Sequence, residues 1–305
     1  MDFGKLPHVD QVDFTLAAEP EKNLSVLKSG SSDHKTPALF VGPTGYNMKE
    51  WVGKWYPFGA REKDFLKYYG QQFNTIEFNT THYRMPDSVA VNRWVKEVPA
   101  DFRFCPKVPQ SISHSRDLGL STQEPRIFCE AIHELGTRLG YCFMQLPPHF
   151  GPRELPVLDR FLAQVAHQIP LAVEVRHPAF FQNGPESRYF FDLLQQYSTA
   201  AVITDVAGRR DVCHMRLTKG VTLIRFVGNG MHPSDYTRVD QWAKRLKHWF
   251  DLGLQEAYFF AHEPDNLLAP ELSQYCIETF CLQIPGIMLR GPKQVPGQQG
   301  NLFDS

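Results

Sequence analysis

Segments typical of buried strands recur eight times along the chain, and helix-like segments separate most of them. They lie at 38–42, 75–79, 102–107, 141–146, 171–176, 200–205, 221–227 and 256–262. A polar insertion at 208–220 takes the place of one long helix. Strands that alternate with helices form parallel sheets through right-handed crossovers, and eight such units close a barrel. We therefore predict an α/β protein with a single (β/α)8 barrel of eight parallel strands over residues 37–283.

An open, doubly wound sheet is the alternative, and it usually carries a glycine-rich phosphate loop after its first strand. The turn after the first strand here is Gly42-Pro43-Thr44-Gly45, which matches neither the dinucleotide fingerprint nor the P-loop. The sequence thus gives little support for a nucleotide site, and the cofactor stays unknown.

Two polar segments flank the predicted barrel. Residues 1–36 show no hydrophobic period and predict a loosely attached arm, and residues 284–305 are rich in Pro and Gly and predict a flexible tail. The tail carries Gln299, Leu302 and Phe303. This spacing resembles the short peptide by which bacterial replication and repair proteins dock on the sliding clamp. One hypothesis is therefore a nucleic-acid-associated module tethered by its tail, against a frayed end with two chance apolar residues.

The composition excludes several classes of protein. With 42% hydrophobic residues the chain is globular, and its net charge of −1 provides no overall basic surface for nucleic acid. Its six cysteines include no C-x-x-C pair, which favours reduced thiols. The N-terminus lacks a basic head followed by an apolar run, and no stretch reaches the roughly 20 apolar residues of a membrane span. We expect a cytoplasmic protein that does not contact a membrane.

Polar residues stand at or near the carboxyl ends of the predicted strands, where barrels build their sites. Because side chains alternate along a strand, we expect these residues to meet at one mouth. They are Glu77, Asn79, Lys107, Gln145, Glu174, Arg176, Asp205, Arg225 and His262.

This set predicts a pocket for a phosphorylated or sugar-like ligand. Glu77, Glu174 and Asp205 are the candidate acids and bases of a hydrolase or lyase, and Lys107, Arg176 and Arg225 would hold the ligand's negative charge. The alternative is a structural ion network without chemistry, so whether the chain is an enzyme stays open. Glycoside hydrolysis would need a separation between carboxylates that the sequence does not give.

Five histidines follow strand ends and raise the question of a metal: His82, His114, His177, His232 and His262. No H-x-H or H-E-x-x-H spacing accompanies them. We therefore predict no metal site.

Longer motifs occur in one order along the chain. They are W-x-G-x-W-Y-P at 51–57, FNTIEFNTTHYR at 73–84, QLPP at 145–148 and AVEVRH at 172–177. In these motifs the chain resembles the YecE-like family, domain of unknown function 72, over about residues 37–278. The resemblance implies a TIM barrel and leaves the function open. It implies characteristic polar positions at Glu77, Asn79, Tyr83, Arg84, Lys107, His114, Gln145, Glu174, Arg176, Asp205 and Arg225.

The chain departs from the family pattern at two strand ends. It has RFVG at 225–228 where many members have Arg-Phe-His-Gly, and FAHE at 260–263 where they have a Phe-Asn-Asn-Asp-like sequence. If these positions hold a ligand, the specificity of this chain differs.

Overall fold

The structure, a computed structural model, describes residues 3–30 and 37–295. Strands and helices alternate through the chain, and short 3-10 turns join several of them. The strands are β1 (Ala38–Pro43), β2 (Thr75–Phe78), β3 (Arg103–Pro106), β4 (Cys142–Gln145), β5 (Leu171–Glu174), β6 (Ala200–Asp205), β7 (Val221–Val227) and β8 (Glu256–His262). The helices are α1 (Lys22–Gly30), α2 (Phe65–Gln72), α3 (Thr80–Tyr83), α4 (Ser88–Glu97), α5 (Gln110–Ser113), α6 (Glu124–His133), α7 (Leu155–Val165), α8 (Pro185–Gln196), α9 (Pro233–Asp251) and α10 (Ala269–Gln283).

The prediction of a closed eight-stranded barrel is wrong, and so is the TIM barrel that the resemblance implied. Each predicted strand segment forms a strand, but the strands pair in two groups. Six form an open, curled parallel sheet in the order β1-β8-β7-β6-β5-β4, and β2 and β3 form a separate parallel pair. The protein is therefore α/β, with a six-stranded half-barrel and a two-stranded sheet.

The side chain of Asn74 takes the place of a backbone ladder between β1 and β2. Val41 N donates to Asn74 Oδ1 at 2.9 Å, and Asn74 Nδ2 donates to Leu39 O at 3.0 Å. A Cβ built on Gly42 would lie 2.2 Å from Thr75 O, so only glycine allows this approach of the two backbones. The Asn74 amide thus takes the hydrogen bonds that a strand ladder would otherwise make, and strand periodicity cannot predict this.

The backbone pairing between β3 and β4 is also incomplete. Isolated bridges join Phe104 to Leu139 and Lys107 to Phe143, but no continuous ladder forms between these described strands. Pro106 at the end of β3 has no N–H to donate, which interrupts the ladder.

The core has two parts because side chains alternate across the strands. A smaller cluster fills the concave face of the sheet, where Phe40 and Tyr258 stack with ring centroids 4.7 Å apart. A larger cluster lies between the sheet and the helices. Helix α7 shows why the helices pack there, since Leu158, Phe161, Leu162 and Val165 repeat at helical spacing and are buried. Apolar side chains fill the concave face toward the amino ends of the strands, and polar residues lie at the carboxyl ends.

The expectation of a loosely attached arm is wrong for residues 3–30. Leu27 of α1 is fully buried, and the Asn23 side chain donates to Met215 O at 2.8 Å and accepts from Leu217 N at 2.9 Å. Nearer the N-terminus, Gly4 O accepts from Gly208 N at 2.8 Å. These contacts fix the arm to the 208–220 insertion, which the sequence could not pair with it.

Beyond α10, the described part of the tail packs on the body, where Arg290 Nε donates to Phe73 O at 2.9 Å. Gln299, Leu302 and Phe303 lie outside the described residues, so the sliding-clamp contact stays a prediction. The predicted boundaries after residues 36 and 283 also stay predictions. Among the described residues, no helix is both long and apolar enough to cross a lipid bilayer.

Candidate functional site

Strand alternation brings six predicted polar side chains to the carboxyl end of the concave face. Each follows inward-facing residues at a spacing of two, as Gln145 follows Phe143 and Arg225 follows Leu223. All six are at most 9% exposed. They are Glu77, Lys107, Gln145, Glu174, Arg225 and His262.

Arg225 lies at the centre of this group. Its Nε and Nη2 donate to the two carboxylate oxygens of Glu77, at 2.8 and 2.9 Å, and its Nη1 donates to Glu174 Oε2 at 2.7 Å. The paired, two-point geometry with Glu77 is the strongest arrangement between a guanidinium and a carboxylate. One arginine therefore joins strands β2, β5 and β7.

The contacts extend outward from both carboxylates. Arg176 Nε donates to Glu174 Oε1 at 3.0 Å, Gln145 Nε2 donates to Glu174 Oε2 at 2.9 Å, and Lys107 Nζ donates to Gln145 Oε1 at 3.1 Å. On the other side, Asn79 Nδ2 lies 3.1 Å from Glu77 Oε1, and His262 Nε2 lies 2.9 Å from Glu77 Oε2. We call these eight residues the ion network: Glu77, Asn79, Lys107, Gln145, Glu174, Arg176, Arg225 and His262.

Both carboxylates of the ion network are ionised near neutral pH. Burial works against the charge of Glu77, but Arg225 and His262 together outweigh it and hold its pKa well below the usual value. Burial is likewise outweighed at Glu174, where Arg225 and Arg176 lower the pKa to about 2. Neither group is therefore suited to accept or donate a proton at pH 7.

Lys107 has no carboxylate among its hydrogen-bond partners in the described residues. Arg225 pairs with both Glu77 and Glu174, whereas the Lys107 ammonium donates to the amide oxygen of Gln145. Burial lowers the pKa of His262, although Glu77 opposes that effect. Burial, followed by the repulsion of Arg225, lowers the pKa of Lys107 to about 8. Glu77 and Glu174 oppose these two effects without outweighing them.

Asp205 does not join the ion network. On β6, Ala200 and Val202 face the concave side, so the register turns Thr204 inward and Asp205 toward the helices. There its carboxylate forms ion pairs with Arg238 and Arg210 and accepts from Trp242 Nε1 at 2.8 Å. The predicted convergence is wrong for this residue, because the even-numbered residues of β6 face the concave side and the odd-numbered residues face the helices.

Tyr83, Arg84 and His114 lie beside the ion network rather than in it. They line an open cavity of about 460 Å³ on the loops after β2 and β3. Tyr83 is 80% exposed, and the rings of His82 and His114 are 5.6 Å apart. Burial first and then the charge of Lys107 lower the pKa of His114.

The sequence analysis did not predict two contacts in this region. The arm reaches the network, because the Phe3 ring lies 4.1 Å from the Arg176 guanidinium carbon. Arg238 of α9 pairs with both Asp205 and Asp235. In the sequence, the spacing of three between Asp235 and Arg238 was the only sign of the Arg238 ion pairs. No sequence pattern indicated the contact between Phe3 and Arg176. Among residues 3–30 and 37–295, no three His, Cys, Asp or Glu side chains form a group that could hold a metal ion.

Comparisons with known proteins identify relatives of this chain. Residues 40–297 match the family model described as protein of unknown function DUF72. The UPF0759 protein YecE of Escherichia coli K12 is 34% identical over 268 residues, which covers 82% of this chain and 96% of the relative. The YecE protein of Escherichia coli O157:H7 matches with the same figures.

Solved structures give a likeness of fold. Two crystal structures of a DUF72 family protein from Enterococcus faecalis V583 match at 18% identity, with TM-scores of 0.64 and 0.62. They cover 85% and 80% of this chain, and 100% and 98% of their own chains. With the family match and the identity to YecE, these findings show that the chain belongs to the DUF72 family of proteins of unknown function.

Proposed function

We propose that the chain binds a phosphorylated or similarly anionic, sugar-like ligand at the ion network and acts on it as a hydrolase or lyase. The observation that carries this proposal is the buried ammonium group of Lys107, which has no carboxylate among its hydrogen-bond partners in the described residues. Lys107 is 8% exposed, and its ammonium group donates a hydrogen bond to a neutral amide oxygen. A buried ammonium without a paired anion costs free energy, and an anionic ligand would remove that cost.

Lys107 also has the donor capacity that an anion needs. An ammonium group has three N–H donors, and Gln145 Oε1 accepts one of them. The open cavity lined by Tyr83, Arg84 and His114 lies on the loops that follow β2 and β3, the two strands nearest to Lys107 in the sequence. We assign Lys107 to the bound anion and, since its pKa is about 8, to proton donation near neutral pH.

Glu77 and Glu174 take a different role in this proposal from the acid and base roles that the sequence suggested. Their oxygens accept hydrogen bonds from Arg225, Arg176, Asn79 and Gln145, and both pKa values are lowered. They hold the arginines in place and stay ionised. The cations, in turn, face the ligand with a fixed geometry.

Titration calorimetry of the full-length protein with inorganic phosphate and with a sugar phosphate tests the proposal. We expect Lys107→Met to weaken the binding of both probes at least tenfold. Lys219→Met is the matched control, because Lys219 is also partly buried over an aromatic ring, 5.2 Å from the centre of Tyr141, but away from the ion network. Equal affinities for wild type and Lys107→Met would contradict the proposal.

The pH dependence gives a second readout. The pKa of free Lys107 is about 8, so its ammonium form is lost as the pH rises past that value. Phosphate affinity should therefore fall between pH 8 and pH 10 in the wild type, and Lys107→Met should not show this fall. A wild-type affinity that stays constant over this range would remove Lys107 from the site.

A further inference from the structure

A second cavity lies under the arm, on the other side of His262 from the network. It has a volume of about 290 Å³, and residues 4–10 of the arm form its roof. The ends of β7 and β8 and the loops after them form its floor and walls, with His262, Glu263, Asn229, His232, Val206 and Val227 among the lining residues. This volume is at the lower end of small-molecule pockets. The cavity has no role in the binding of an anion at Lys107.

The hydrogen bond between Glu77 and His262 fixes which nitrogen of His262 carries the proton. Arg225 holds Glu77 ionised by two hydrogen bonds, so the Glu77 carboxylate can only accept. His262 Nε2, 2.9 Å from Glu77 Oε2, must therefore be the donor. In a neutral imidazole the other nitrogen then carries a lone pair. Among the described residues, no hydrogen-bond donor contacts His262 Nδ1.

A carboxylate that accepts from one imidazole nitrogen makes the other a better base. The carboxylate fixes the ring's orientation and tautomer and stabilises the imidazolium that forms when a proton arrives. Glu77 provides this arrangement for His262, and His262 lines the cavity under the arm. The ion network thus ends in a base at the wall of a separate cavity.

The walls of this cavity favour a neutral ligand. Glu263 is 4% exposed, and burial raises its pKa to about 7. Its Oε2 accepts from Gly230 N at 2.8 Å, while its buried Oε1 has no partner among the described residues. Asp10 lies 3.4 Å from His232 at the roof and brings more negative charge. Lys5 and Asp10 place charges of opposite sign on the roof, so the lining does not select an anion. A hydroxyl group can pair with Glu263 Oε1, and Val206 and Val227 can contact carbon atoms.

We propose that this cavity binds a neutral, polyhydroxylated small molecule of about the size of a single sugar and that His262 Nδ1 is the base toward one of its hydroxyl groups. The proton moves from the hydroxyl oxygen to Nδ1, and the electron pair of the broken O–H bond stays on the oxygen. The Glu77 carboxylate, 2.9 Å from Nε2, stabilises the positive charge that forms on the ring. The step uses His262 and Glu77 of the ion network and does not involve Lys107.

Chemical modification of the full-length protein with diethyl pyrocarbonate at pH 7, read by peptide mass spectrometry, tests the free lone pair. Two histidines provide internal controls. His214 should stay unmodified because Val202 O and Arg216 N engage both of its nitrogens, at 3.1 and 3.0 Å, and exposed His114 should react. We expect His262 to react at a rate nearer to that of His114. A His262 as unreactive as His214 would overturn the proposal.

Protection from modification tests the ligand class. D-glucose should slow the modification of His262 and leave that of His114 unchanged, while inorganic phosphate should not protect His262. Protection by phosphate alone would overturn the neutral class, and a lack of protection by either probe would overturn the cavity as a binding site. Calorimetry measures the phosphate affinity separately. A negative result for protection of His262 can therefore be told apart from a negative result for phosphate binding at Lys107.

The tautomer gives a measurement on the unmodified wild type. Two-bond proton–nitrogen NMR correlations of the histidine-labelled protein should show His262 protonated on Nε2 and unprotonated on Nδ1. His262→Gln identifies these signals by their loss. A proton on Nδ1 would contradict the assignment of this nitrogen as the base.

Discussion

Arg225 donates two hydrogen bonds, of 2.8 and 2.9 Å, to Glu77 on the other side of the concave face. Arg225 belongs to the six-stranded sheet, and Glu77 belongs to the two-stranded sheet. His262 of the larger sheet also contacts Glu77. The ion network therefore links two sheets that lack a continuous backbone ladder between them, and Lys107 donates to the amide of Gln145 rather than to either carboxylate.

Glu77→Gln should destabilise the protein by about 3–5 kcal/mol, because it leaves Arg225 buried with half of its compensating charge. The free energy of unfolding in urea measures this effect. Glu130→Gln is the control, since Glu130 forms an exposed pair with Arg126 within α6, and its loss should change the stability little. Equal effects of the two variants would show that the link through Glu77 contributes nothing to the stability of the fold.

Asn74→Ala should destabilise the protein by about 2 kcal/mol, because Val41 N and Leu39 O would lose their partners. Asn92→Ala is the matched control, since Asn92 donates to Ser88 O on an exposed helix where water can replace it. Urea unfolding checks both variants. If Asn74→Ala is as stable as wild type, a backbone ladder between β1 and β2 can form without the side chain.

Asp205→Asn separates a structural role from a catalytic one. The Asp205 carboxylate is fully buried against Arg210, Arg238 and Trp242, so the variant should lose about 3–5 kcal/mol of stability. Its phosphate affinity by calorimetry should stay within twofold of wild type, because Asp205 faces the helices. If the variant is as stable as wild type but loses phosphate binding, Asp205 belongs to the binding site after all.

Glu263→Gln should make the protein more stable above pH 7. The folded-state pKa of Glu263 is raised from 4.5 to about 7, so the unfolded chain releases this proton first and wild-type stability falls as the pH rises from about 4.5 to 7. The variant lacks this loss, which amounts to at most about 3 kcal/mol at pH 8. Glu174 does not interfere with this comparison. Its pKa is lowered, so its contribution to stability is lost only as the pH falls from 4.5 toward 2. Parallel stability curves for wild type and variant from pH 5 to pH 8 would contradict the raised pKa.

Strand periodicity predicted much of this molecule from local patterns. Alternation along 75–79 places Glu77 on the concave face, and the same rule places Lys107, Gln145, Glu174 and Arg225. The rule fails at Asp205, since a phase shift of one residue reverses every side chain of a strand.

Closure of the sheet depends on long-range contacts that no local pattern contains. Asn74 replaces backbone bonds between β1 and β2, and Phe3 reaches Arg176 from a distance of 173 positions along the chain. Periodicity registers neither contact, because both depend on how distant segments meet after folding. The prediction of a barrel therefore identified the strands and six of the eight strand pairings of a barrel correctly, and it was wrong about closure.

A crystal structure of the full-length protein soaked in inorganic phosphate tests most directly whether the ion network is an anion site. We predict a bound phosphate with an oxygen within about 3 Å of Lys107 Nζ, and Glu77 and Glu174 still paired with Arg225. Phosphate bound only at other places on the surface, with Lys107 still bonded to Gln145 alone, would contradict the account.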